Sequence, residues 1–274
     1  MEKAIKLISD NGTIVLTDLP GLLFLNSNEG DSQIITNTQE IKGVDGLLPN
    51  SNTFAPFELE LECIFIGQDV EDYRLIKSKL RTLIYQRKPY YVWHSDMPGK
   101  KYAVIPQATA IEDIYGRNGN IKLTFQVYKG YSESLYKTDQ FSLLSDKWQF
   151  ESGIVPDEEI KYNHNRQMFT IYNGSSDAIN PRLRHDLKIW IRLTTKTGFK
   201  IVNKTNGDIF EYTGSLEKNQ SFLIDGAYPY KDKQRCGRQT NKGIITLEPG
   251  YNKFEIWGSI SNFNINFIFP FIYR

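Results

Sequence analysis

Acidic side chains recur at a regular spacing in one short stretch of this sequence. Glu58, Glu60 and Glu62 alternate with apolar residues between Phe57 and Phe65. Paired carboxylates are the groups that most glycosidases use to cleave a sugar bond, so this run is the first candidate for catalysis. Strict alternation, however, is typical of a strand with one buried face and one solvated face. We therefore interpret the run as a solvated face and predict no catalytic residue.

Other familiar sets of reactive residues are missing from the sequence. His94, His164 and His185 are not spaced with one another, or with a cysteine, as metal ligands are, and each is more typical of a surface or hydrogen-bonded histidine. There is no glycine-rich phosphate loop and no Gly-x-Ser-x-Gly nucleophile motif. The sequence thus predicts a protein that is not an enzyme, with no metal site and no cofactor.

Two tryptophans are the remaining candidates for ligand contact. Trp190 lies between Ile189 and Ile191, and Trp257 follows Ile256, so each indole falls on the opposite alternation from its apolar neighbours. An exposed indole can stack on a sugar, but large aromatic side chains are also enriched at subunit contacts. Both alternatives stay open, and Trp190 and Trp257 are candidate contacts for a sugar or for a protein partner.

Composition excludes several classes of partner. Lys plus Arg number 33 and Asp plus Glu 32, a net charge of +1, which gives no general attraction to nucleic acid or to an anionic membrane. No apolar run has the length of a signal peptide or a membrane span, so we expect no membrane insertion. Asn-x-Ser/Thr triplets matter only in a secreted, glycosylated chain; they begin at Asn11, Asn173, Asn203 and Asn219.

The two cysteines are far apart in the sequence. Cys63 falls on the apolar alternation of its predicted strand, and Cys236 lies in the second half of the chain. Buried free thiols are common in proteins without a disulfide framework. We expect two buried free cysteines rather than a disulfide.

The first half of the chain contains the elements that position these groups. Asp69 can cap a helix that runs to about residue 88, where Pro89 ends it, and an apolar stripe at spacings of three and four indicates that the helix covers a sheet. Alternation predicts strands at 57–66, 90–93, 102–105 and 121–127, and Asp10-Asn11-Gly12 predicts a hairpin between 4–8 and 13–17. Residues 26–52 are polar and rich in glycine, and they read either as a surface loop or as an arm that contacts a neighbouring subunit.

The second half of the chain reads as all-β. Short strands are predicted at 168–172, 187–193, 199–204, 208–212, 221–224, 243–247, 252–257 and 263–269, with a hairpin turn of the primed type at Asn206-Gly207. Close spacing without a helical period favours an antiparallel sandwich. We place the boundary near residue 137, which divides the chain into an α+β domain, 1–137, with helix 69–88 and arm 26–52, and a linker with a β-sandwich, 138–274.

The order of these parts resembles the distal tail proteins of bacteriophages with long non-contractile tails, the siphoviruses. Short strand and turn motifs carry the resemblance over almost the whole length: Pro98-Gly99-Lys100-Lys101-Tyr102, Leu123-Thr124-Phe125, Tyr131-Ser132, Trp148-Gln149-Phe150-Glu151-Ser152-Gly153, Phe169-Thr170-Ile171-Tyr172-Asn173-Gly174, Leu223-Ile224-Asp225-Gly226, Leu247-Glu248-Pro249-Gly250-Tyr251-Asn252 and 267–273.

The resemblance implies a mainly β fold, in which N-terminal domains close into a homo-hexameric ring and a galectin-like β-sandwich lies at the periphery. It implies a structural virion protein of the tail tip or baseplate, assembled in the host cytoplasm. The ring would join the tail tube protein to the tail-associated fibre or lysin protein around a channel for DNA, without sequence-specific DNA binding. The outer domain would dock receptor-binding proteins or host-surface sugars.

A carbohydrate-binding, lectin-like module of a host-adhesion device is the alternative function. Some members of the resembled family carry a large carbohydrate-binding insertion, for which this chain has no segment of domain size. The run His164-Asn165-Arg166 also lacks the spacing and the proline of a galectin sugar site. We therefore assign no sugar ligands beyond the two candidate tryptophans.

Overall fold

A computed structural model describes residues 3–108, 110–115, 118–141 and 160–274 of the chain. The motif at 148–153 lies outside these residues. The chain divides into two compact units: residues 1–133 together with Arg274, and residues 134–273. Both units are built mainly from antiparallel strands.

Unit 1 contains the only α-helix of the described residues. Its elements are β1 Ile5–Ser9, β2 Gly12–Val15, β3 Leu22–Glu29, β4 Ile34–Ile35, β5 Thr38–Gln39, β6 Leu48–Pro49, β7 Thr53–Phe54, β8 Phe57–Ile66, α1 Val70–Ile84, β9 Tyr90–His94, β10 Lys100–Pro106, β11 Ala110–Tyr115, β12 Asn118–Val127 and β13 Ser132–Ser134. The last strand, β13, crosses the boundary into unit 2.

The sheet of unit 1 is organised around the antiparallel pair of β8 and β12. Its strand order is β2-β1-β9-β10-β12-β8-β3, and β8 and β12 pair over their full length from Phe57↔Val127 to Ile66↔Asn118. The predicted alternation is confirmed on β8, where odd-numbered positions are buried and Glu58 and Glu62 are exposed. The predicted hairpin is also confirmed, since Ser9 pairs with Gly12 across a two-residue turn.

Helix α1 lies on this sheet through one apolar stripe. Asp69 caps it, because its side chain accepts a hydrogen bond from the Asp72 backbone N–H at 2.7 Å. Tyr73 stacks on Phe65 of β8 with ring centroids 5.4 Å apart. The remaining buried residues of the stripe are Ile76, Leu80 and Ile84. Burying such side chains stabilises the unit by roughly 1.5–3 kcal/mol each.

The helix ends earlier than predicted. Ile84 is its last residue, and Tyr85 follows with φ −80° and ψ 67°, so the expected helix to residue 88 is wrong by about one turn. The Tyr90 hydroxyl donates a hydrogen bond to the Ile84 carbonyl at 2.8 Å and so satisfies a backbone acceptor at the helix end. This tertiary contact ends the helix before the charged residues that precede Pro89.

The arm is a hairpin rather than an irregular loop. Its start is later than predicted, because Asn26–Glu29 are still part of β3 and pair with β8. Beyond Gly30, β4 pairs with β7 and β5 pairs with β6. Near the tip, Gly43 and Gly46 have φ of +86° and +84°, which residues with a Cβ rarely adopt.

Unit 2 contains two antiparallel sheets. Its strands are β14 Asn163–His164, β15 Met168–Asn173, β16 Lys188–Thr194, β17 Phe199–Asn203, β18 Ile209–Tyr212, β19 Phe222–Asp225, β20 Tyr228–Lys231, β21 Gln234–Arg235, β22 Gly250–Trp257, β23 Ser261–Ile268 and β24 Ile272–Tyr273. One sheet has the order β14-β23-β16-β19-β20-β21 and the other β15-β22-β17-β18.

Aromatic side chains join the two sheets face to face. Phe254 of β22 lies 4.9 Å from Phe267 of β23, and Phe199 of β17 lies 5.3 Å from Phe222 of β19, measured between ring centroids. All four side chains are 0–2% exposed. Because each contact connects one sheet to the other, the fold of this unit is a β-sandwich, as predicted.

Two predictions for unit 2 need correction. Residues 243–247 form no strand, since only Leu247 makes an isolated bridge, to Ile179. The hairpin at Asn206-Gly207 exists, but its loop is longer than a primed two-residue turn, because the Asn203 backbone N–H bonds the Asp208 carbonyl at 2.9 Å. Strands β20 and β21 were not predicted, because Pro229 and a cluster of charged residues interrupt the alternation.

Candidate interaction surfaces

The acidic run on β8 is a solvated, ion-paired face. Lys122 of β12 contacts Glu60 at 2.8 Å, and the Asn28 amide donates to the same carboxylate at 3.2 Å. The hydrogen bond from Lys122, followed by that from Asn28, holds the pKa of Glu60 below its usual range. A carboxylate bound in this way remains ionised and is a poor proton donor, so Glu60 is unsuited to be the acid of glycoside cleavage.

The histidines lie in three different environments. The His164 ring contacts the Lys161 carbonyl at 2.8 Å, and the His185 ring contacts the Ala178 carbonyl at 3.0 Å. The expectation for His94 is wrong, because it is buried and neither ring nitrogen has a hydrogen-bond partner. Burial lowers the pKa of His94 to about 4. Among the described residues, no group of three or more His, Cys, Asp or Glu is placed to bind a metal.

Both thiols are free. Cys63 is buried on β8, and burial raises its pKa to about 12, so the thiolate form is rare. Cys236 is only partly buried, which corrects the expectation of two buried cysteines. Burial also raises the pKa of Cys236. Neither thiol has the lowered pKa of a nucleophile.

The arm exposes an unusual amount of apolar surface. Every residue from 33 to 53 is exposed, although the backbone pairs in a hairpin. The exposed apolar side chains are Ile34, Ile35, Ile41, Val44, Leu47 and Leu48, at 44–63% exposure. A hairpin that buries so little in its own chain is marginally stable alone, and exposed apolar surface of this kind is typical of sites that contact another molecule.

A second apolar surface lies on the edge strand of unit 1 and its neighbour. Leu23 and Leu25 of β3 are 53% and 46% exposed, and Ile66 of β8 is 48% exposed. We call these three residues the β3–β8 patch. Since β3 ends the strand order of its sheet, its outer backbone groups are a template for further pairing.

The two candidate tryptophans differ in their contacts. Trp190 on β16 is 40% exposed between Ile189 and Ile191, which are each 1% exposed. Trp257 on β22 is 48% exposed, and its indole N–H donates to Glu255 at 3.0 Å. The indole of Trp190 has no hydrogen-bond partner in the described part of the chain. Alternation in the sequence predicted that both tryptophans lie on the outer face of their strands. It could not predict that their hydrogen-bond partners differ.

No helix in the described ranges is both long and apolar enough to cross a bilayer. A search of the curated proteins found no match to this sequence. A family model described as the phage tail protein RIFT-related domain matches residues 9–127.

Solved structures match over the full length. The Dit protein (gp 19.1) of phage SPP1, described as a paradigm of the hub adsorption apparatus of phages that infect Gram-positive bacteria, is 12% identical, with 100% of both chains covered and a TM-score of 0.68. A chain of the phage p2 baseplate in its activated conformation is 12% identical, with 98% of both chains covered and a TM-score of 0.47.

The family match covers most of unit 1, and the SPP1 structure shares the fold of the whole chain. Both findings confirm the resemblance to the distal tail proteins that the sequence motifs predicted. Residues 9–127 of this chain match the model of the phage tail protein RIFT-related domain, and the chain as a whole shares the fold of the SPP1 Dit protein.

Proposed function

We propose that this protein is the structural hub of a phage tail tip, in which copies of unit 1 close into a homo-hexameric ring. The ring would join the tail tube protein to the tail-associated fibre or lysin protein, and unit 2, with a galectin-like sandwich, would dock receptor-binding proteins. The function is scaffolding in the virion, without catalysis. The family match and the shared fold with SPP1 Dit support this role.

The observation that carries the proposal is the exposed apolar surface of the arm. Exposed apolar surface is stabilised by roughly 25 cal/mol for each Å² that a partner covers. In a ring, the arm of one subunit would lie on the β3–β8 patch of the next, so that two apolar surfaces cover each other. Such a contact is heterologous, because two different surfaces meet. Repeating it closes a ring when the rotation from one subunit to the next is a whole fraction of 360°.

The ring is tested by sedimentation velocity and mass photometry of the purified full chain. The expected species is a hexamer of the 31.7 kDa chain that persists on dilution, because obligate interfaces typically bury on the order of 2,000 Å² or more. Val44→Asp combined with Leu47→Asp places charges on the arm tip and should yield monomers. Both positions are more than 60% exposed, so folding of the monomer should be unaffected.

Leu183→Asp is the matched control, since Leu183 is a 53% exposed leucine on unit 2. This variant should assemble like the wild type. A wild-type chain that stays monomeric at all concentrations, even with the tail tube protein added, contradicts the ring. An arm-tip variant that still assembles contradicts the assigned contact.

A further inference from the structure

Helix α1 and the residues that follow it carry a local excess of positive charge, which the net charge of +1 for the whole chain conceals. Residues 70–88 contain six basic side chains and two acidic ones. The two acids, Glu71 and Asp72, both lie in the first turn of the helix. The basic side chains come after them: Arg74, Lys77, Lys79, Arg81, Arg87 and Lys88. Every charged side chain beyond the first turn is therefore positive.

Two of the arginines lie on one stripe of α1 that points away from the sheet. The buried stripe of the helix includes Tyr73 and Leu80. At 3.6 residues per turn, positions 74, 78, 81 and 85 form a second stripe on the solvent side. Arg74, Ser78 and Arg81 are exposed on it. The two arginines are two turns apart, about 10.5 Å along the helix axis. We call this stripe, together with Leu75, the outer face of α1.

Five of the six basic side chains have no acidic partner in the part of the chain that the structure describes: Arg74, Lys79, Arg81, Arg87 and Lys88. By contrast, Lys122 of the same unit pairs with Glu60 at 2.8 Å. Lys77 and Arg81 are four residues apart, a spacing at which like charges destabilise a helix. An anionic surface that covered the outer face would relieve this repulsion.

Apolar side chains are exposed beside these charges. Leu75 is 69% exposed, and Tyr85 at the end of the helix is 47% exposed. The phosphate backbone of a nucleic acid would neutralise the arginines but would give Leu75 no apolar contact. The surface of an anionic bilayer offers both environments, because charged headgroups lie directly above apolar acyl chains, and tyrosine is enriched at that boundary. The mixture of side chains therefore favours a lipid surface over a nucleic acid.

The outer face of α1 is not covered by the contact assigned to the arm. The helix packs through Tyr73 on Phe65, which belongs to the odd-numbered face of β8. Ile66 of the β3–β8 patch belongs to the even-numbered face of the same strand. An arm that lies on the patch therefore leaves the solvent side of the helix accessible.

We propose that the outer face of α1 adsorbs to an anionic lipid surface. Arg74 and Arg81 bind headgroup phosphates, and Leu75 and Tyr85 reach the boundary with the acyl chains. The contact is peripheral, because the apolar stripe of α1 stays buried on its sheet. It does not depend on the ring of the proposed function, although a ring would present several copies of α1 to one surface.

Vesicle cosedimentation with the full-length protein tests the proposal. The anionic probe is a vesicle of equal parts phosphatidylglycerol and phosphatidylcholine, the neutral probe is phosphatidylcholine alone, and a short DNA duplex is tested by fluorescence anisotropy. Adsorption to the anionic vesicle, weakened by added salt, is expected. Equal adsorption to the neutral vesicle, or no adsorption to the anionic one, overturns the proposal. Tighter binding to the duplex than to the anionic vesicle also overturns it.

Paired charge variants locate the contact. Arg74→Gln combined with Arg81→Gln should weaken adsorption roughly 25-fold, since each Lys or Arg near an anionic membrane contributes about fivefold. Glutamine has nearly the helix propensity of arginine, so circular dichroism should be unchanged. Arg192→Gln combined with Lys253→Gln removes the same charge from exposed positions of unit 2 and should leave adsorption as it is in the wild type. Equal weakening in both double variants would show that only net charge matters and would overturn the assignment.

Leu75→Gln separates a lipid surface from a purely electrostatic partner. It should weaken adsorption without changing its salt dependence, because it removes apolar surface and no charge. If Leu75→Gln adsorbs as the wild type does, the assignment to a lipid surface is wrong. The arm-tip variant, with Val44→Asp and Leu47→Asp, should still adsorb to the anionic vesicle. Its adsorption keeps this result separate from the outcome for the ring.

Discussion

His94 shows how a single buried residue can make this fold sensitive to acid. Its ring stacks on Tyr102 with centroids 5.4 Å apart and meets Phe24 edge-on at 6.0 Å. Burial lowers its pKa to about 4, and of the nearby charges Asp96 raises that pKa while Lys100 and Lys3 lower it. An unfolded histidine has a pKa near 6.5. The folded protein therefore keeps His94 neutral at a pH where the unfolded chain would protonate it.

Replacing His94 by phenylalanine should reduce this acid sensitivity. Since the pKa is lower in the folded state, the stability that His94 contributes is complete above pH ~6.5 and is lost as the pH falls towards 4. At about 1.36 kcal/mol per pKa unit the total loss is roughly 3 kcal/mol. Urea denaturation from pH 7.5 to pH 4.5 should show a smaller decline for His94→Phe than for the wild type. If the two proteins lose the same stability between pH 7.5 and pH 4.5, His94 is not the source of the acid sensitivity.

Buried asparagines organise a segment of unit 2 that lacks regular structure. Asn203 donates to the Thr246 carbonyl at 2.9 Å, and Asn173 donates to the Leu247 carbonyl at 3.1 Å. Asn252 accepts from Asn203 at 3.2 Å and from the Glu248 backbone N–H at 2.9 Å. All three asparagines are 0% exposed. Side-chain amides thus satisfy the backbone groups that a strand would have paired.

Asn203→Ala should destabilise unit 2 by about 1–3 kcal/mol, because it leaves the Thr246 carbonyl and the Asn252 amide short of a partner. The loss is measured as a shift of the urea midpoint. Asn219→Ala is the comparison, because Asn219 also begins an Asn-x-Ser/Thr triplet but is exposed, and the midpoint of this variant should equal that of the wild type within error. Equal shifts for both variants would show that burial of Asn203 is not the cause.

At the scale of the whole molecule, the two apolar surfaces of unit 1 connect folding to assembly. The arm exposes its apolar side chains in the isolated chain, and the β3–β8 patch does the same. If subunits bind through these surfaces, assembly stabilises the folded state by mass action, and stability then depends on protein concentration.

The midpoint of thermal unfolding, Tm, should accordingly rise with protein concentration in the wild type. The variant with Val44→Asp and Leu47→Asp should have a lower Tm that does not change with concentration, because a monomer gains nothing by mass action. Differential scanning fluorimetry over a hundredfold concentration range provides the measurement. A concentration-independent Tm in the wild type would count against assembly through the arm.

Sequence by itself determined the local elements of this protein. Alternation on β8 and β12, the Asp69 cap and the Asp10-Asn11-Gly12 turn are short-range signals, because strand period, helix capping and turn conformation depend on residues close together in the chain. The resemblance to distal tail proteins rested on the same kind of strand and turn motifs. Alternation also placed Trp190 on the outer face of its strand, as the structure has it.

Only the tertiary structure decided how those elements combine. The early end of α1 depends on the Tyr90 hydroxyl, and the environment of His94 depends on Tyr102 and Phe24. Trp190 has Asn266 and Leu223 as its cross-strand neighbours because β16 pairs with β23 and β19 in one register. Register between strands far apart in sequence is fixed by packing across the whole unit, and no local pattern encodes it.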